Sequence, residues 1–97
     1  METDFFKKSM TMLLHPDTGA THLGEEDADK QLVIAASNSM TKKLNQARGD
    51  GRHGWWDADV CSIDDLYALR EQALAEDDHI STLNFTAMIA MRQSVAD

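Results

Sequence analysis

The stretch that most limits what this chain can become is Gly49-Asp50-Gly51-Arg52-His53-Gly54-Trp55-Trp56-Asp57-Ala58-Asp59-Val60-Cys61-Ser62. It holds three of the five glycines, both tryptophans and the only cysteine. Glycine adopts backbone angles closed to other residues, so no helix runs through this stretch. The paired tryptophans bring the largest apolar area of any dipeptide in the chain. The pattern predicts a rigid corner over residues 49–62. It divides a helix pair over 1–48 from a second pair over 63–97, within one domain.

The 97 residues suffice for one such domain, and 42% apolar content is enough for its core despite a net charge of −8. With one proline and five glycines, helices are favoured over a turn-rich β fold. No apolar run approaches the ~20 residues that cross a bilayer, so no membrane role is expected. A lone cysteine excludes an internal disulfide and suits a reducing compartment, so the expected location is the cytoplasm. Residues 1–50 carry a net −2 and residues 51–97 a net −6. Such a surface repels phosphate backbones and suits a basic protein partner, not nucleic acid itself.

Along the chain, Thr3 is placed to cap a first helix whose apolar residues are Phe6, Met10, Leu13 and Leu14. His15-Pro16 ends it. Glu25-Glu26-Asp27 favours the positive end of a second helix over about 25–48. Its stripe is Leu32, Ala36, Met40, Leu44 and Ala47, with small residues Ala35, Ala36 and Ser39 allowing close approach of a neighbour. Gly49 is the expected stop. Ser62 with Asp65 resembles a capping box opening a third helix. Asp77-Asp78 closes that helix or caps a fourth over about 79–94. The fourth is apolar around most of its circumference, which places it centrally or in a dimer interface. The expected fold is therefore all-α, about four helices in a small bundle. The fourth helix and the exposed methionines point to a homodimer. The expected core is Leu32, Leu44, Leu66, Phe85, Met88 and Ile89.

Candidate chemistry is sparse. His15 and His22, or His53 and Cys61, lack the paired spacings of a zinc site, so no metal is expected. Cys61 with His53 has no orienting acid in a recognisable pattern, and no catalytic residue is assigned. Glu25-Glu26-x-x-Asp29 resembles half of the carboxylate cluster of helical nucleotide pyrophosphohydrolases, which hold magnesium on acids one turn apart. The second half is missing, since Leu74 follows Glu71 and His79 follows Glu76 at three residues. That enzyme is one alternative. Another is a DNA mimic, in which Asp64, Glu71 and Asp78, seven residues apart, stand in for phosphates. Trp55 and Trp56 are read equally as binding anchors or as a core plug.

Lys43-Leu44, Gly51-Arg52-His53-Gly54-Trp55, Asp57, Cys61-Ser62, Leu66, Asp78, Asn84-Phe85, Met88-Ile89 and Arg92 together resemble a module of small phage and prophage accessory proteins. The resemblance covers about half the chain. It implies a non-catalytic phage protein that binds and modulates or inhibits a host protein acting on DNA, such as a recombination or defence nuclease. The expected partner-binding residues are Arg52, Trp55, Trp56, Asp57, Asp59, Asp64 and Glu71, with no cofactor.

Overall fold

The structure, a computed structural model, describes residues 4–14 and 24–95. Four helices follow in chain order: α1 (Asp4–Leu14), α2 (Glu25–Gly49), α3 (Ile63–Ala75) and α4 (His79–Ser94). Among the described residues there is no strand, and the all-α four-helix expectation holds. The expected Thr3 cap and His15-Pro16 stop lie outside the described residues.

Each helix end has a local cause. α2 starts with three acids, Glu25, Glu26 and Asp27, whose charge complements the helix dipole. It ends at Gly49, within a residue of the expected stop. Gly49 completes the last turn, and the chain reverses two residues later. There Gly51 takes φ +87°, its N–H donates to the Arg48 carbonyl at 3.0 Å, and the Arg52 N–H donates to the Ala47 carbonyl at 2.9 Å. This pair of bonds is the Schellman closure, which needs a left-handed residue at that step. α3 closes in the same way. Asp77 has φ 57°, the Asp77 N–H donates to Leu74 at 3.1 Å and the Asp78 N–H to Ala73 at 2.9 Å. Asp78 then caps α4, its carboxylate accepting from the Ser81 N–H at 3.1 Å. Asp77-Asp78 thus does both of the tasks its sequence offered.

α4 packs against α3 and α2, whereas α1 touches only α2. The apolar circumference of α4 is therefore explained by a central position. Leu66, Ala73, Ile80 and Ile89 form the buried α3–α4 core, and Ala35 and Ser39 are the buried residues of α2. Small side chains at Ala35 and Ser39, one turn apart, let another backbone come close. The Ser39 hydroxyl and the Asn84 side-chain carbonyl are buried without a hydrogen-bond partner.

Three expectations are corrected. Leu32 is 58% exposed and does not join the core. Its helical face is covered at Ala35 and Ser39 but not one turn earlier. Met10 and Leu14 are also exposed, so α1 turns Phe5, Phe6, Ser9, Met12 and Leu13 toward shelter instead. Leu44, Phe85 and Met88 are half-buried, while Leu66 and Ile89 are core residues as expected.

Candidate functional site: the stapled corner

The corner between α2 and α3 is built from backbone hydrogen bonds. Gly54 is buried with φ +80°. A Cβ there would lie 2.7 Å from Val60 Cγ1, so only glycine lets the loop fold back on itself. The Asp57 N–H donates to the Gly54 carbonyl at 3.0 Å, and the Asp57 carbonyl accepts from Val60 at 3.0 Å and Cys61 at 2.8 Å. The Asp57 carboxylate accepts from the Asp59 N–H at 2.9 Å, an Asx turn. Ser62 and Asp65 exchange side-chain and backbone bonds at 3.0 Å each, confirming the capping box at the start of α3.

The last fastening comes from far along the chain. Arg92, near the end of α4, donates from Nη1 to the carbonyls of Trp55 at 3.1 Å and Cys61 at 2.5 Å. A charged donor shared by two carbonyls makes stronger bonds than neutral donors do. Arg92 thus ties both sides of the loop to α4. Beside it, Gln93 donates to the Tyr67 hydroxyl at 2.8 Å, clipping α4 to α3. The arginine that ends the Asn-Phe-x-x-Met-Ile helix therefore serves to staple the Gly-Arg-x-Gly-Trp loop. Sequence reasoning assigned Arg92 no role. Its signal was a basic residue in the last turn of an otherwise uncharged helix.

The expected partner-binding residues divide into two groups. Trp55 is half-buried and gives its carbonyl to Arg92. Asp57 is half-buried and spends its carboxylate on the loop itself. Both hold the loop together. Trp56 is 68% exposed, so the tryptophan pair is neither wholly core nor wholly surface. Arg52, Asp59, Asp64 and Glu71 are exposed as well. Sequence reasoning missed Val60, which braces Gly54 yet remains 56% exposed four residues from Trp56. A large exposed aromatic held on a rigid loop loses little entropy on docking, which suits it as a binding anchor.

Beside the corner, the backbones of α2 and α3 stand apart. They flank an open groove of about 310 Å³ that includes Lys43, Asp50, Arg52, Leu69, Glu76 and Asp78. Lys43 pairs with Asp78 at 3.6 Å, bridging α2 to the start of α4. Partial burial of Asp78 pulls its carboxyl pKa upward. Hydrogen bonds from Ser81 and the charge of Lys43 outweigh this and hold it below its ordinary value. Asp78 lies outside α3, so the acidic stripe of Asp64, Glu71 and Asp78 is broken at its third member. Glu26 forms an exposed pair with Lys30 at 3.4 Å. Among the described residues, no three His, Cys, Asp or Glu side chains gather as a metal site would require. No described helix is long and apolar enough to cross a membrane. Cys61 is half-buried, its thiol 3.8 Å from the Ser62 carbonyl.

Fold and site together define a small acidic all-α domain that presents one tryptophan on a stapled loop. No family model, curated protein or solved structure matches the chain.

Proposed function

We propose that this protein is a non-catalytic accessory protein that docks its acidic corner onto a basic surface of a protein acting on DNA and modulates or inhibits it. The observation that carries this reading is Trp56, 68% exposed on a loop that Arg92 holds rigid. Asp59 beside it and Asp64 and Glu71 on α3 are exposed and negative. The net charge of −8 speeds encounter with a basic surface, and Trp56 with Val60 supplies the apolar anchor that charge alone lacks. The resemblance of residues 43–92 to a phage accessory module gives the reading its setting, a phage protein acting in the host cytoplasm.

The test is affinity capture from a bacterial lysate with the wild-type chain and Trp56→Ala side by side, at two salt concentrations. The reading expects a nuclease, helicase or recombination protein to be retained by the wild type. That protein should be lost with Trp56→Ala and weakened by salt. Equal capture by both chains, or capture insensitive to salt, contradicts it.

A further inference from the structure

The end of the molecule remote from the corner carries a second surface. α2 is 25 residues long, about 37 Å at the rise of an α-helix. Along one of its faces, exposure climbs from 0% at Ser39 and 1% at Ala35 to 58% at Leu32. That face therefore loses its cover within one turn, while among the described residues α2 packs against α1 and α4. The chain measures 51 × 30 × 23 Å with a radius of gyration of 16.0 Å, against about 12.5 Å for a compact domain of this length.

This end exposes a cluster of apolar side chains. Lys42 pairs with Asp4 at 3.8 Å, which sets the start of α1 beside the last third of α2. The two helices run antiparallel, so Leu14, ten residues and roughly 15 Å further on, comes level with Leu32. Leu14 (65%), Leu32 (58%), Val33 (65%) and Ile34 (52%) are all exposed at that one level, with Met10 (50%) a turn away. Val33 and Ile34 line a shallow depression with Glu26, Asp29 and Lys30. Clustered exposed apolar side chains of this kind mark an interaction site.

The charges around this collar select its occupant. The start of α2 carries Glu25, Glu26, Asp27 and Asp29 against Lys30, while α1 carries Lys7 and Lys8 against Asp4. By the same antiparallel spacing, Lys7 and Lys8 stand level with about residues 38–39 of α2. A two-fold axis crossing the hairpin at Val33 brings residues 25–29 of one copy opposite the level of about 37–41 of the other. The acids of each copy then face the lysines of its partner, and the two apolar collars close on one another. We infer that the occupant is a second copy of this chain, paired antiparallel through α1 and the first third of α2 as a four-helix bundle. This interface is separate from the corner, so the dimer displays two exposed Trp56 side chains.

The test is the mass of the full chain in solution by sedimentation and light scattering, from low to roughly 50 µM, since association follows mass action. The wild type is expected to dimerise, and Trp56→Ala to dimerise equally. Ile34→Glu is expected to weaken association by about a hundredfold, burying two charges at the axis. The exposed double change Lys7→Glu/Lys8→Glu, which cannot disturb the core, is expected to weaken it about tenfold. Adding Glu25→Lys/Glu26→Lys to that variant should restore it. A monomeric wild type overturns the inference. So does a dimer that survives Ile34→Glu, or a charge reversal that fails to rescue.

Discussion

The corner end and the hairpin end of this protein draw on similar residues but hold them by different means. At the corner, two glycines with positive φ, an Asx turn, a capping box and the Arg92 staple fix every step of the loop. Leu66 on α3 and Ile80 and Ile89 on α4 are buried. At the hairpin end, Leu14, Leu32, Val33 and Ile34 are as apolar as any core residue yet stand in solvent. Apolar spacing marks which residues can be buried, while helix length and neighbours decide which ones are. α4 is 16 residues and cannot cover the 25 of α2.

This contrast can be broken first by matched truncations. Leu66→Ala, at a side chain 1% exposed, is expected to destabilise by about 2–5 kcal/mol. Leu32→Ala is expected to change the dilute protein by less than about 0.5 kcal/mol. Urea denaturation at low concentration measures both, and comparable losses would erase the distinction. A second pair sharpens it within the corner. Gly54→Ala meets both a positive φ and a Cβ 2.7 Å from Val60, so a loss of roughly 2–4 kcal/mol follows. Gly51→Ala has the positive φ alone, with open space around it, and should lose only about 1–2 kcal/mol. Arg92→Met keeps the stem but strands two carbonyls, for a loss of roughly 2–3 kcal/mol. Its tryptophan fluorescence should also shift as the Trp55 loop loosens.

The smallest effect is one of pH. Asp78 titrates lower in the folded state than in the unfolded chain. Its charge therefore stabilises the fold above about pH 4, and that contribution is lost as pH falls through the folded value. Asp78→Asn keeps a good cap and removes the charge. The wild type should exceed the variant in urea midpoint at pH 7, with the gap closing as pH falls through the folded value. A gap that widens on acidification would reverse the sign of the argument.

Much of this was legible in the sequence because the signals are local. Glycine spacing marked the corner, Ser62 with Asp65 marked the start of α3, and Asp78 marked the start of α4. The role of Gly51 rather than Gly49 was hidden, since either glycine satisfies a helix-stop pattern and only the hydrogen bonds to Ala47 and Arg48 choose between them. The division of labour between Trp55 and Trp56 was hidden too. It depends on Arg92, which lies 37 positions from Trp55 and whose reach no local pattern encodes. The exposure of Leu32 was illegible for a similar reason. Its spacing matches that of Ala36, and only tertiary cover, which no local pattern encodes, separates them.

Residue-resolved amide hydrogen exchange on the dilute, monomeric chain tests this division directly. The strongest protection should fall on α3, α4 and residues 35–49 of α2. Residues 4–14 and 25–34 should exchange far faster through opening of the hairpin end alone. Equal protection along the whole of α2, or protection greatest at its first third, would contradict the account.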